Sequence, residues 1–248
     1  MFFGYNGINR KAISTVLIIL AFMQIARMGS AEWLYILLTL PAVVIAVTFH
    51  EYAHALAADK LGDTTPRNQG RLTLNPLSHL DPFGFFLMMF ANIGWGKPVQ
   101  INPNNFNSNK SRSLCEAIVS FSGPLMNFVL AIASCFAYTL IYMFAGISFT
   151  ATFAGTVIMY LLSVLIRVNI GLGVFNLIPL PPLDGEKIFK HFLPYNARNW
   201  LDNNYQTLVA IFMLLWIVGA LEIIVSPVIS FLSSALFSGV NLIIGLFI

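Results

Sequence analysis

Six long apolar runs constrain this chain more than any other feature. They fall at about 11–28, 32–58, 114–146, 152–180, 205–225 and 227–248. Each approaches or exceeds the ~20 residues an α-helix needs to cross a hydrocarbon core. In lipid, every backbone polar group must be paired within its own segment or closed sheet, so runs of this length take helical form. Of 248 residues, 58% are hydrophobic and 9% charged, against roughly a quarter charged in a soluble domain. A water-soluble fold of this size could not hide that surface. The expected fold class is an all-α polytopic membrane protein with about six transmembrane helices. A further apolar piece, 83–95, is too short to span and reads as a re-entrant or interfacial segment, to be buried by protein.

The polar region at 59–113 holds two strand-like pieces, 71–74 and 97–101, bounded by Gly, Pro and Asn. They predict a small β element at the membrane surface. A single membrane domain over 1–248 is expected, with a core at 32–187 and flanking helices 11–28, 205–225 and 227–248. The net charge of +3 is scattered between apolar runs, so no nucleic-acid partner is indicated. Cys115 and Cys135 lie on one expected helix, roughly 30 Å apart at 1.5 Å per residue, beyond disulfide reach. Arg10 and Lys11 before an apolar run also have the layout of a signal peptide; a retained first helix is the reading adopted.

Positive charge orients the bundle. With the N-terminus inside, eleven of the thirteen basic residues fall on the cytoplasmic side, leaving Arg27 outside and Arg167 within a span. Both termini and the 59–113 region are therefore expected to face the cytoplasm, in a cell membrane. Arg167 is costly at that depth, and Glu222 is its candidate partner.

Span two contains Phe49-His50-Glu51-Tyr52-Ala53-His54. Histidines at i and i+4 share one helical face and can hold one metal ion, and the glutamate beside the first can reach a metal-bound water. Three ionisable groups in five residues of a membrane helix each cost ~2.5–3.5 kcal/mol even on the lenient insertion scale, and a metal compensates them. Zinc suits two imidazoles and keeps an open catalytic position. A third protein ligand is needed, and His79, Asp81, Asp184 and Glu186 are all candidates from the same side of the membrane. Asp184 stands in Asn176-Leu177-Ile178-Pro179-Leu180-Pro181-Pro182-Leu183-Asp184-Gly185, where the prolines stop a regular helix.

The His50-Glu51-Tyr52-Ala53-His54 run, with the Asn176…Pro179…Asp184-Gly185 segment downstream, resembles the site-2 protease family of intramembrane zinc metalloproteases. The likeness runs from about 43 to 187, and Gly123-Pro124-Leu125-Met126-Asn127 is similar to an element of that family's core helix. The resemblance implies one Zn2+ per chain held by His50, His54 and Asp184, with Glu51 as general base. It implies that Asn127 and Asn176 shape the substrate region. Asn176 is either a donor to the oxyanion or an amide that satisfies the broken backbone near the prolines. The resemblance also implies that spans two to four form the core. The chain resembles the compact members without a PDZ module, and Asn75-Pro76-Leu77-Ser78-His79-Leu80-Asp81-Pro82-Phe83-Gly84 fits them too. His79 is expected either to line the site or to be an ordinary loop histidine.

The expected activity is hydrolysis of peptide bonds in membrane-spanning or membrane-proximal substrates. A helical substrate hides its carbonyls, so it must unwind, and an extended edge at 71–74 or 97–101 would receive it. The competing class is a metal-binding transporter, or a catalytically silent adaptor of the same fold. Against transport, the chain has no two halves with matching interrupted spans. Against mere zinc binding, Glu51 would be superfluous. The expected partners are a membrane protein or peptide substrate and the lipid bilayer.

Overall fold

The computed structural model describes residues 15, 18, 19, 22, 23, 25–91, 95–107 and 109–246. Among these the chain is a helical membrane protein. Helix α1 spans Ser30–Lys60, α2 Thr65–Asn68, α3 Pro82–Ala91 and α4 Arg112–Thr150. Helix α5 spans Phe153–Asn176, α6 Asp184–Phe192, α7 Tyr195–Asn203, α8 Tyr205–Ile217 and α9 Ala220–Gly245. Among the described residues, four stretches are long and apolar enough to cross a bilayer: Tyr35–Lys60 of α1, and helices α4, α5 and α9.

The expected helix at 11–28 lies largely outside the described residues. The last two expected spans are divided differently from the sequence reading. Helix α8 has 13 residues, roughly 20 Å at 1.5 Å per residue, too short to cross unaided. It ends where Gly219 adopts φ 75°, a left-handed conformation that glycine takes without a Cβ penalty. The boundary expected near 226 falls inside α9, and so does Pro227. In lipid, neighbouring helices can compensate the hydrogen bond that a proline removes.

Helices α1, α4 and α5 pack together, and α9 covers α4 and α5. Small side chains on α1 (Ala42, Ala46, Ala53, Ala55 and Ala58) are buried, which lets the backbones approach closely. The main apolar cluster joins Ala131 and Cys135 of α4 to Ile166 and Ile170 of α5 and Val240 and Ile244 of α9. A second cluster sets Leu183, just before α6, against Phe212 of α8 and Leu221 of α9. Cys115 and Cys135 are both buried. Arg167 is exposed on α5 and forms no ion pair with Glu222.

Among the described residues, 71–74 and 97–101 form no strand, and their region holds one isolated antiparallel bridge, Leu80 to Gly96. Prolines explain the difference. Pro98 has no N–H to donate to a ladder, and Pro76 and Pro103 start 3-10 turns. The region is organised by side chains instead. Arg71 donates to the Ser78 carbonyl and, at 3.3 Å, to that of Lys97. Asp63, fully buried, accepts from Thr65 N, Thr65 Oγ1, Asn105 Nδ2 and Asn102 N at 2.5–3.1 Å. Burial raises the Asp63 carboxyl, but these hydrogen bonds outweigh it and hold the group below the ordinary carboxylate value. The extended segment 96–102 is thereby anchored at both ends over the end of α1.

Candidate metal centre

His50 and His54 lie ten and six residues before Lys60 at the end of α1, so they sit roughly 9–15 Å along the helix from that end. Helix periodicity puts both rings on the face turned to α4. His50 Nε2 and His54 Nε2 are 3.0 Å apart, and Asp184 Oδ2 lies 3.1 Å from the first and 3.2 Å from the second. Three ligand atoms from positions up to 134 residues apart thus form a small triangle. Tetrahedral zinc with ligands at about 2.0–2.1 Å places neighbouring ligand atoms roughly 3.3 Å apart, so the three residues fit the ion.

Hydrogen bonds behind the triangle specify its chemistry. His54 Nδ1 lies 2.7 Å from the Val119 carbonyl, which can only accept, so Nδ1 carries a proton and the neutral ring has its lone pair at Nε2. His50 Nδ1 lies 2.6 Å from Asn127 Oδ1. Burial would raise the Asp184 carboxyl, but His54 and His50 beside it hold it far below the ordinary carboxylate range. With both rings neutral, the two Nε2 lone pairs and the Asp184 carboxylate converge on one point, a donor set that suits a cation.

Close approach to α4 depends on Gly123. A Cβ there would lie 2.5 Å from His54 Cε1 and Nε2 and 2.7 Å from His50 Cε1. The Asp184 loop uses a second close contact, since a Cβ on Gly185 would overlap the Leu177 and Ile178 carbonyls. This loop folds back through Pro179, Pro181 and Pro182, and Leu183 is held against Phe212.

Glu51 projects from the same turn into a cavity of about 700 Å3 lined by His50, His54, Asp184, Asn176 and the 95–101 segment. Its Oε2 accepts the Val99 N–H at 3.0 Å. Next to Asp184, burial pushes the Glu186 carboxyl up, against the counter-influence of Lys190 at 3.7 Å.

The other expected residues divide. Asn176 lines the cavity, with Nδ2 donating to its own helix at Leu172 O, 3.0 Å away. Asn127 is fully buried behind His50 and does not line the cavity. His79 is also fully buried and does not line the cavity. Its Nε2 pairs with the Thr73 carbonyl at 2.7 Å, and its own carbonyl accepts from Lys97 N at 2.8 Å, which makes it part of the loop's framework. Asp81 accepts from Gly84 N at the start of α3. Sequence reading missed Asn169 on α5, whose Oδ1 accepts from Asn127 Nδ2 at 2.9 Å. The signal was present: an amide within an apolar span needs a partner.

Comparison with known proteins agrees with this geometry. "Putative zinc metalloprotease YwhC" of Bacillus subtilis is 41% identical over 164 residues, 66% of this chain and 71% of that protein. "Putative zinc metalloprotease Rip2" of Mycobacterium tuberculosis is 26% identical over 190 residues, 72% of this chain and 62% of that protein. The Mycolicibacterium smegmatis protein of the same name is 28% identical over 155 residues, 60% of this chain and 54% of that protein. No solved structure matches. The family profile matches residues 38–158 and 139–220, which takes in all three members of the triangle. The chain belongs to peptidase family M50, the site-2 protease family of integral membrane zinc metalloproteases.

Proposed function

We propose that this chain is an endopeptidase that cleaves membrane-spanning or membrane-proximal segments at the His50–His54–Asp184 centre, with Glu51 as general base. The carrying observation is the placement of Glu51 one residue after a member of the triangle, facing the same cavity. A zinc ion held by the three residues supplies Lewis-acid polarisation of the scissile carbonyl and of water. The protein's own groups do the rest. Glu51 takes a proton from the attacking water on a carboxylate oxygen and returns it to the leaving nitrogen. Asn176, at the cavity wall, donates to the developing oxyanion, a contribution of ~2.7–4 kcal/mol where measured in other enzymes. His50 and His54 keep their Nδ1 protons throughout, so their Nε2 atoms stay available.

The substrate enters as extended chain, because a helix leaves no carbonyl exposed to attack. The 95–101 segment already lies extended along one cavity wall. A substrate strand alongside it would find backbone groups to pair with. For Glu51 to act, the Val99 N–H must release its carboxylate oxygen or share it with water. The ends of α1 and α4 near the site carry Lys60 and Arg112, and α6, which follows α5, adds Lys187 and Lys190, so by the count of Lys and Arg this face is assigned to the cytoplasm of a cell membrane. The active domain corresponds to 32–187, with the helices outside it flanking.

Glu51→Gln tests this reading. Gln keeps the size and most hydrogen bonding but cannot take the proton. Zinc should remain bound while cleavage of a membrane-segment peptide by the purified protein falls by at least about 100-fold. Cleavage at the unaltered rate with zinc present would reject Glu51 as the base. If no cleavage occurs with either protein while both hold zinc, the transporter or adaptor class gains the ground.

A further inference from the structure

Three buried side chains form a one-way hydrogen-bonded chain from helix α5 to the candidate centre. Asn169 Nδ2 donates to the Leu165 carbonyl at 2.8 Å. Asn169 Oδ1 accepts from Asn127 Nδ2 at 2.9 Å, and Asn127 Nδ2 also donates to the Ala46 carbonyl at 3.2 Å. Asn127 Oδ1 faces His50 Nδ1 at 2.6 Å. Asn127 and Asn169 are both 0% exposed, so no water competes for these groups.

The direction of this chain is set by chemistry rather than by choice of rotamer. Backbone carbonyls only accept, so Leu165 and Ala46 each demand an N–H. Leu165 therefore turns the Asn169 amide so that its oxygen faces Asn127. Ala46 and that oxygen together claim both Asn127 N–H groups, which leaves the Asn127 oxygen for His50. An oxygen can only accept there, so His50 Nδ1 is the donor, and the neutral tautomer that keeps this bond has its lone pair at Nε2. A free imidazole has no such obligation and exchanges tautomers. His54 needs no relay, because Val119 supplies a carbonyl directly.

We propose that Asn169 is a remote positioning residue of the metal centre. By fixing the orientation of the Asn127 amide, it locks His50 in the tautomer that binds the ion and so sets metal affinity from a third helix. The inference rests on the assignment of His50 as a ligand and extends it. It also gives α5 a function at the centre beyond packing. Three helices (α1, α4 and α5) must be docked before the first ligand is correctly protonated.

The test is zinc affinity, measured by chelator competition on the purified full chain in detergent, with absorption of the cobalt-substituted protein as a report on ligand geometry. Outer-shell partners of metal-bound histidines typically change affinity by about 10–100-fold. Asn127→Leu is expected to show a loss of that size, and Asn169→Leu, one bond further away, a loss of about 3–10-fold in the same direction. The double variant should lose no more than Asn127→Leu alone, because both substitutions break one chain. Ile166→Ala, which removes a fully buried neighbour from the α4–α5–α9 core without touching the amides, should leave affinity within about twofold.

Asn169→Leu with unchanged affinity, or with a loss matched by Ile166→Ala, would overturn the relay. Losses that simply add in the double variant would overturn it too. If Asn127→Leu does not accumulate, the comparison of Asn169→Leu with Ile166→Ala decides alone. His50→Ala separates this question from the one beneath it. Full zinc in His50→Ala rejects the ligand assignment, whereas loss of zinc there with unchanged affinity in Asn169→Leu rejects the relay only.

Discussion

Replacing Gly123 by alanine tests whether the candidate centre depends on helix α4 lying directly against the two imidazoles. The added Cβ would sit 2.5 Å from His54 Cε1 and Nε2 and 2.7 Å from His50 Cε1. Ordinary carbon contacts lie at roughly 3.5–4.0 Å, so each ring must retreat by about 1 Å. Neither ring can retreat freely. His54 is tied to the Val119 carbonyl at 2.7 Å and His50 to Asn127 at 2.6 Å, both on the helix that carries the new methyl. Moving the rings away stretches both bonds, at ~1–3 kcal/mol for each buried polar group left unpaired. It also spreads a triangle whose edges are 3.0–3.2 Å. Together these predict a fall in zinc affinity of at least about 100-fold.

The assay is zinc content and chelator competition on purified protein, with Gly239→Ala as the control. Nothing lies within 4 Å of a Cβ at Gly239 on α9, so there the substitution should be neutral or stabilise by up to ~1 kcal/mol through helix propensity. A Gly123→Ala protein that keeps wild-type zinc affinity would refute the packing argument.

Asp63 links the end of α1 to the 97–105 segment. Its folded carboxyl lies below the unfolded value, so it stabilises the protein above the ordinary carboxylate range and loses that contribution as pH falls through the folded pKa. Asp63→Ala should cost ~1–3 kcal/mol at neutral pH and flatten the acid limb of a thermal-stability profile below about pH 4, whereas an unchanged acid limb would discount this role. Phe212, fully buried against Leu183, should cost ~3–5 kcal/mol as Phe212→Ala. Because Leu183 leads directly into Asp184, zinc affinity should fall with it; a destabilised protein with normal zinc binding would show that the loop is held from elsewhere.

Local periodicity made half of the centre legible. Two histidines four residues apart share a helical face wherever the segment is helical, and an apolar run of this length in lipid must be helical. Glu51 and the membrane-crossing helices around 32–58, 114–146 and 152–180 follow from the same rule and survive in α1, α4 and α5. The Asp184 segment announced itself through prolines that no span can absorb intact, yet His79, Asp81 and Glu186 stayed equal candidates until a family resemblance separated them. The boundary expected near 226 falls at Gly219 instead, because apolar run length does not register a left-handed glycine that turns the chain, while α9 continues through Pro227.

Tertiary structure alone decided which third group meets the histidines. It placed Asn127 behind a ligand rather than in the cavity, and it showed that the 97–101 segment reaches Glu51 without forming a strand. These are contacts across 48 to 134 residues of sequence. They depend on how close α4 approaches α1, which is set by the absence of a side chain at Gly123. Composition and periodicity report which face of an element is apolar, and the distance between two such faces is settled only when the side chains between them are packed.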